Sequence, residues 1–235
     1  MLNYTLFGGT PLSLFGGVEA LAFVKSKLAL ANDWPDIELH FGPGTDLSDD
    51  GKATRIGHGV PDDIWNSYYL PIVGRDSWTI LPAAMQPKSR GYIRLNSADP
   101  YDKPLINPNY YQDPSDLQVT IEAVKIALAL SKTEAFQQFG TKFYDKPFPG
   151  CESYTMFTDA YWGCWIKSYS VSLVHTVGTC KMGPDSDPTA VVDPTLKVRG
   201  IKNLRVADTS IMPLVPSGNT MAPTVTYLFL DFSIC

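Results

Sequence analysis

The segment from residue 174 to residue 223 limits most strongly how this chain can fold. It contains three short apolar or β-branched runs, at residues 191–192, 196–198 and 204–206. Asp-Pro, Arg-Gly and Lys-Asn pairs bound these runs, and such pairs are typical of tight turns. The pattern predicts three short strands joined by turns, with Asp208 soon after the last strand.

The chain before residue 170 contains further strand patterns. Residues 36–41, 78–85 and 91–95 are predicted strands, each rich in apolar side chains. Residues 89–91, Ser-Arg-Gly, form a predicted turn between the last two, because glycine tolerates a tight bend. So short a link predicts that the strands on either side of it pair antiparallel.

Three helices are predicted in the same part of the chain. Residues 17–30 carry apolar side chains at i, i+3 and i+7, the spacing of an amphipathic helix. Asp113 and Pro114 begin the clearest helix, since aspartate caps a helix N-terminus and proline suits the first helical position. Residues 154–169 form an aromatic-rich third helix. Strands and helices segregated in this way predict an α+β layer up to about residue 169.

Charge and hydropathy argue against several kinds of partner. The 235 residues carry a net charge of −5, with 19 Lys and Arg against 24 Asp and Glu. We therefore expect neither a nucleic acid nor an anionic membrane as partner. No apolar run approaches the ~20 residues of a membrane span, and residues 1–17 lack the basic start and continuous apolar stretch of a signal peptide. The compartment stays undetermined.

The cysteines give no sign of a metal site. Cys151, Cys164, Cys180 and Cys235 include no C-x-x-C pair and have no histidine at metal-ligand spacing, so we expect no bound metal. Cys151 and Cys164 would form a disulfide in an oxidising compartment. Isolated thiols packed as small hydrophobic groups are the alternative.

The three histidines differ in their surroundings. His175 precedes residues 176–183, which contain two glycines that let the backbone turn closely around a planar group. An imidazole is also the natural proton acceptor near neutral pH, although a lone histidine is often a hydrogen-bonded structural residue. His40 lies within a predicted strand and His58 in a Gly-rich loop, so both are interpreted as structural.

A second turn follows forty-four positions after His175, at Asn219. Asn219 or Thr220 would cap a helix whose first turn tolerates Pro223. The N-terminus of that helix would carry roughly +0.5 charge and would favour an anion. Asp208 has an equally simple structural interpretation, as an N-cap or turn aspartate.

The segments VHTVGTCKMG, VVDPTLKVRGIKNLRVADTSIMP and PSGNTMAPT, in this order and spacing, resemble the closing part of the glucose-methanol-choline (GMC) family of flavin-dependent alcohol oxidoreductases. The resemblance extends back through QPKSRGYIRLNSADPYDKPLINPNYYQDPSDL and GGVEALAFVKSKLALANDWPDIELHF. These segments are similar to the substrate-domain segments of insect members of the glucose dehydrogenase type. Nearly the whole chain is covered.

The resemblance implies an architecture for the chain. Residues 1–169 would form the substrate-binding α+β layer, an antiparallel sheet with helices on one face. Residues 170–235 would be the C-terminal return segment of an incomplete FAD-binding domain and would carry the catalytic residues. The G-x-G-x-x-G turn of a dinucleotide fold is missing, since Leu47 replaces the third glycine after Gly42 and Gly44. We therefore expect a fragment that is inactive by itself.

The resemblance also implies residue roles. The histidine that matches His175 acts near the flavin N5 as the catalytic base. The residue that matches Asn219 hydrogen-bonds the substrate oxygen. Asp208, Thr220 and Met221 would bind the FAD cofactor, with Asp208 near the ribityl-diphosphate region. A carboxylate there is expected to orient neighbouring backbone amides, because it would repel a phosphate.

The implied function is FAD-dependent oxidation of an alcohol or sugar CH–OH group by hydride transfer to flavin N5. The substrate would be a small-molecule alcohol or sugar, and the sequence does not distinguish quinone from oxygen as electron acceptor. The alternative is a non-enzymatic remnant that binds a small molecule or a partner. It would use an aromatic-rich surface around Trp65, Tyr68, Tyr69 and Trp162.

Overall fold

The computed structural model describes residues 18–29, 34–52 and 54–233. Two compact units are present. The first unit combines Met1–Ala84 with Leu117–Val171, and the second unit combines Met85–Asp116 with Ser172–Cys235. The roles predicted for residues 1–169 and 170–235 stay predictions.

Both units contain short strands and helices. In chain order they are β1 (Ala20–Val24), β2 (Ile37–Gly42), α1 (Thr54–Gly57), α2 (Asp62–Ile64), β3 (Thr79–Ala84), β4 (Tyr92–Arg94), β5 (Leu105–Asn107), α3 (Pro114–Ser131), α4 (Glu134–Gln137), α5 (Asp159–Ser168) and α6 (Met221–Ser233). A π-helical turn (Trp65–Tyr69) and two 3-10 turns (Leu70–Ile72, Thr209–Ile211) complete the set. In the ranges that the structure describes, no helix is both long enough and apolar enough to cross a membrane.

The first unit is organised around an antiparallel sheet in the order β1-β2-β3. Ile37 and Leu39 of β2 are buried together with Ala123 of α3, so this helix packs on one face of the sheet. The connection from β1 to β2 is closed at its base, where the Ser26 backbone N–H and hydroxyl donate to the Asp36 carboxylate (2.7 and 2.5 Å). The predicted strands at residues 36–41 and 78–85 are confirmed within one residue at each end.

The helix predicted over residues 17–30 is wrong where the structure describes it, because residues 20–24 form β1. Leu21 pairs with His40, and Val24 pairs with Ile37. Apolar residues at i and i+3 share one face of a helix but lie on opposite faces of a strand. Pairing with β2, which the local pattern does not report, therefore decided the structure. Residues 17 and 30 lie outside the described residues.

Helices α3 and α5 each begin directly after the residue that caps their N-terminus. Asp113 Oδ1 accepts the Ser115 N–H (2.9 Å), which confirms Asp113 as the cap of α3. Helix α5 begins at Asp159, five residues later than predicted, because the Thr158 hydroxyl accepts the Tyr161 N–H (3.3 Å). A disulfide between Cys151 and Cys164 joins α5 to the preceding loop. Of the two interpretations given for Cys151 and Cys164, a disulfide or isolated thiols, the structure shows the disulfide.

The aromatic residues proposed as an interaction surface are largely interior. Trp65, Tyr68 and Trp162 are 5%, 3% and 1% exposed. Tyr68 packs edge-on against Phe148, with ring centroids 5.3 Å apart. These rings form the core of the first unit, which removes the surface that the non-enzymatic alternative required.

The second unit contains a small antiparallel ribbon of β4 and β5, with Ile93 opposite Ile106. The predicted strand at residues 91–95 is therefore confirmed, but its predicted pairing with the strand at 78–85 is wrong. The backbone N–H groups of Lys88 and Ser89 donate to the Asp116 carboxylate (both 2.8 Å). The Asp116 carboxylate thus fixes the backbone just before β4. The segment there is bound by this side chain and does not form the hairpin predicted between residues 78–85 and 91–95.

The remainder of the second unit packs around buried Val192, Leu196 and Ile211, and Tyr227 of α6 packs against them. The three strands predicted between residues 191 and 206 form single bridges, among them Val192 with Val198. The fold is therefore α+β with small antiparallel sheets.

Candidate active site

The backbone immediately before His175 is strained. Val174 has φ +61°, in the left-handed region that a β-branched residue rarely adopts. Its N–H donates to the Ser172 hydroxyl (3.0 Å). Such a conformation costs about 1–3 kcal/mol and persists where the surrounding structure imposes it, commonly at functional sites. His175 itself is half-buried.

The loop that follows His175 is bonded to the segment that follows Asp208. The Cys180 N–H donates to the Ser210 carbonyl oxygen (2.9 Å), and the Met182 N–H donates to the Ile211 carbonyl oxygen (2.8 Å). Gly178 has φ +90°, and a Cβ at this position would lie 3.4 Å from the Met212 carbonyl oxygen. Glycine is required here because the loop turns in the left-handed region while it passes close to another backbone.

Asp208 caps the 3-10 turn Thr209–Ile211. Its Oδ1 accepts the Ser210 N–H (2.7 Å), and its own backbone is extended. The carboxylate is exposed and already orients a backbone amide. This contact is the one expected of a structural cap and also the one expected of a residue that shapes a cofactor site.

Asn219, Thr220 and Met221 lie at the start of α6. Thr220 is buried, and its carbonyl oxygen accepts the N–H of Thr224 (3.1 Å) and the Thr224 hydroxyl (2.6 Å). Asn219 and Met221 are exposed. The helix N-terminus therefore presents an amide side chain and a partial positive charge to the surroundings.

All five predicted site residues belong to the second unit. Ile211 ends the 3-10 turn that Asp208 caps, and it packs in the same hydrophobic cluster as Tyr227 of α6. Asp208 and the start of α6 are thus supported by one core. The loop after His175 joins this core through Met182, which packs against the cluster.

Glu38 and His40 form a buried polar pair in the first unit that sequence reasoning missed. Glu38 is fully buried, and neither of its carboxylate oxygens has a hydrogen-bond partner in the part of the chain that the structure describes. His40 Nε2 lies 3.5 Å from Glu38 Oε1, within ion-pair range. The alternation of polar and apolar residues in IELHF was the available signal, since it places both side chains on one sheet face.

The residues directly opposite this pair are apolar. Glu38 faces Phe23 of β1 and Ala83 of β3, while His40 faces Leu21 and Leu81. Leu21 and Phe23 are nearly half-exposed. A buried carboxylate without a hydrogen bond, in apolar surroundings, is unfavourable and calls for a donor group from elsewhere.

His58, also predicted to be structural, is held by a carboxylate. Its Nδ1 lies 2.7 Å from Asp46 Oδ1, and the Tyr169 hydroxyl donates to Asp46 Oδ2 (2.9 Å). Burial raises the pKa of Tyr169 well above its ordinary value, with Tyr69 and Asp46 adding to the shift. Burial also raises the pKa of Tyr69, to about 12. These tyrosines therefore stay protonated and hold the loop in place.

Among the residues that the structure describes, no group of three or more His, Cys, Asp and Glu side chains is arranged to hold a metal ion.

A sequence model of GMC oxidoreductases matches residues 87–227, more than half of the chain. The chain belongs to the GMC oxidoreductase family. It is 38% identical over 224 residues to a glucose dehydrogenase [FAD, quinone] of Drosophila pseudoobscura pseudoobscura, covering 95% of this chain and 34% of the relative. It is also 38% identical over 207 residues to an alcohol dehydrogenase [acceptor] of Pseudomonas putida, covering 88% of this chain and 32% of the relative.

Two solved structures share the fold of this chain. Pyridoxine 4-oxidase from Mesorbium loti superimposes with a TM-score of 0.68 at 22% identity, covering 93% of this chain and 38% of that chain. A variant of Aspergillus oryzae RIB40 formate oxidase gives 0.71 at 23% identity, covering 98% and 39%. The chain thus spans about a third of the length of the curated relatives it matches.

Proposed function

We propose that this chain supplies the proton acceptor and the substrate-binding layer of an FAD-dependent oxidoreductase acting on an alcohol or sugar CH–OH group. His175 is the base, and Asn219 hydrogen-bonds the substrate oxygen. Residues 1–169 bind the substrate, and residues 170–235 return to the FAD-binding domain. The observation that carries the proposal is the His175 loop, strained at Val174 and bonded to the Asp208 turn.

The residues present fit the flavin end of FAD. Gly178 keeps the loop free of a side chain, and exposed Asn219 and Met221 stand at a helix N-terminus that favours an anion. Asp208 orients the Ser210 amide and need not touch a phosphate. When bound, FAD supplies the acceptor for the hydride that leaves the substrate carbon.

The two polar side chains have distinct tasks in this proposal. The neutral imidazole of His175 accepts the hydroxyl proton of the substrate, since an imidazole is the ordinary side-chain proton acceptor near neutral pH. The Asn219 amide donates an N–H to the substrate oxygen but cannot accept the proton in place of His175. A positioned base contributes typically ~10²–10⁴-fold to the rate.

The test joins this chain to the remaining two thirds of the Drosophila pseudoobscura pseudoobscura glucose dehydrogenase, in place of the matching third. In anaerobic stopped-flow experiments, His175→Ala should leave FAD bound and slow flavin reduction by ~10²–10⁴-fold. Asn219→Ala should slow it less, because the proton acceptor remains. His58→Ala removes an imidazole from the first unit and serves as the control, and at saturating substrate it should slow flavin reduction far less than His175→Ala. Unchanged flavin reduction in His175→Ala across the neutral pH range would show that this histidine is structural.

The chain by itself should not retain FAD, because it lacks the G-x-G-x-x-G turn that binds the pyrophosphate. Purification from cells supplied with riboflavin should yield a colourless protein without alcohol-oxidising activity. Near-stoichiometric FAD in the purified chain, measured by its absorbance spectrum, would contradict this expectation.

A further inference from the structure

The strain at Val174 is not explained by the packing of its side chain. Among the described residues, seven residues other than glycine have left-handed backbone, and Val174 is the β-branched one. β-Branched side chains are poorly suited to this region. The valine side chain is 80% exposed, so burial does not hold it there. The surrounding backbone must therefore impose the conformation.

The loop around the histidine is fastened on both sides. On one side, the Ser172 hydroxyl accepts the Val174 N–H at 3.0 Å, in the local turn that serine side chains form with the backbone two residues on. On the other side, the N–H groups of Cys180 and Met182 bind the 3-10 turn Thr209–Ile211. The histidine lies between these two attachments.

The backbone conformation of Val174 decides where the His175 imidazole lies. A change of φ from +61° to about −120°, the ordinary extended value, is a rotation of about half a turn around the N–Cα bond. His175 is the next residue along the chain. Because the loop is bonded again at residue 180, this rotation would displace mainly His175 and the few residues after it. The half-buried ring would then leave its surroundings.

We infer that Ser172 and Val174 are positioning residues for His175. The Ser172 hydrogen bond keeps Val174 left-handed, and the left-handed backbone places the imidazole. The effect on the reaction rests on the proposed function, whereas the placement of the ring does not. Asparagine should replace the valine well, because it adopts left-handed backbone more readily. Proline should not, because its φ is about −65° and it has no N–H for the serine hydroxyl.

The first measurement uses the full chain and the NMR signals of its histidine rings. The chain has three histidines, so each ring C–H signal is assigned with one alanine variant. In Ser172→Ala, the His175 signal should move toward its position in the urea-unfolded chain. The signals of His40 and His58 should stay in place, which shows that the fold is intact. Ser131→Ala removes a hydroxyl bonded within α3 and is the control, with an unmoved His175 signal.

The second measurement tests rescue. Val174→Asn, added to Ser172→Ala, should return the His175 signal toward its original position, because asparagine needs no serine bond to stay left-handed. Val174→Pro should displace the signal at least as far as Ser172→Ala does. In the fusion described above, Ser172→Ala should slow flavin reduction at saturating substrate about two- to tenfold, the effect of one lost hydrogen bond. The added Val174→Asn should restore this rate.

Three results would overturn the inference. One is an unmoved His175 signal in Ser172→Ala. Another is a signal that stays displaced when Val174→Asn is added, which would show that the serine acts by another route. The third is an unchanged rate in Ser172→Ala where His175→Ala slows flavin reduction. If His175→Ala itself reduced flavin at the unmutated rate, the proposed function alone would fail, and a displaced ring signal in Ser172→Ala would still support the placement of His175 by Ser172 and Val174.

Discussion

Replacing Glu38 with glutamine should make the chain more stable. The Glu38 carboxylate is fully buried, with Ala83 and Phe23 opposite it in the sheet. His40 is within ion-pair range at 3.5 Å, but neither carboxylate oxygen has a hydrogen bond from the described residues. An unpaired buried polar group costs about 1–3 kcal/mol, and more when it is charged. Glutamine keeps the shape and removes the charge, so we expect a gain of about 1–3 kcal/mol.

Asp36 provides a matched control in the same part of the sheet. It is also buried, but its two oxygens accept the Ser26 N–H and the Ser26 hydroxyl. In Asp36→Asn, the amide can still pair with the Ser26 N–H and hydroxyl, but two charge-assisted hydrogen bonds become weaker neutral ones. We expect a loss of about 1–3 kcal/mol. The two neutralising substitutions should therefore change stability in opposite directions.

Urea unfolding of the chain, followed by tryptophan fluorescence, measures both effects. The midpoint should rise for Glu38→Gln and fall for Asp36→Asn, with similar slopes for both variants. If Glu38→Gln lowers the midpoint as much as Asp36→Asn does, the Glu38 carboxylate is well satisfied in solution and the reasoning from its missing partners is wrong.

Two further predictions concern the second unit. Hydrogen bonds from Lys181 and then Thr189 hold the pKa of Asp187 well below its usual value of 3.8. The stability that this carboxylate contributes is therefore present above about pH 4 and is lost as the pH falls below it, and Asp187→Asn should flatten the acid side of a urea-midpoint profile. Gly91→Ala should destabilise by about 1–3 kcal/mol, because its Cβ would lie 2.2 Å from the Asn107 carbonyl oxygen. Gly57→Ala has no atom within 4 Å of the new Cβ and should leave the midpoint unchanged or slightly higher; equal losses in the two alanine variants would contradict this steric argument.

Local signals in the sequence were sufficient for the clearest helix. Asp113 and Pro114 predicted the start of α3 because capping depends on neighbouring residues alone. Thr158 caps the start of α5 in the same way. Threonine is a common N-cap residue, so it was a local signal that this helix begins at Asp159 rather than at residue 154. His175, Asn219 and Asp208 were predicted as site residues because their spacing follows a family pattern, and their roles stay predictions.

Contacts between distant segments could not be predicted in this way. The strand β1 exists because β2 pairs with it, although the spacing of Leu21 and Val24 fits a helix as well. Pairing of β4 depends on Asp116, which lies 27 positions after Ser89 and binds its N–H. The burial of Glu38 beside His40 also arises from the assembled sheet. The bonds between the His175 loop and the Asp208 turn required the structure for the same reason.

The Ser26–Asp36 contact has a consequence for how this family can vary. Two hydrogen bonds fasten the base of the β1–β2 connection, directly beside the paired residues Val24 and Ile37. These two hydrogen bonds therefore fix the pairing register of β1 and β2. The register does not depend on the length of the connection between the two strands. Lengthening a connection between two fixed points costs only about 0.6 kcal/mol per doubling of its length. Evolution can thus insert or delete residues between Ser26 and Asp36 while the sheet is preserved, and the same place suits a grafted epitope or affinity tag.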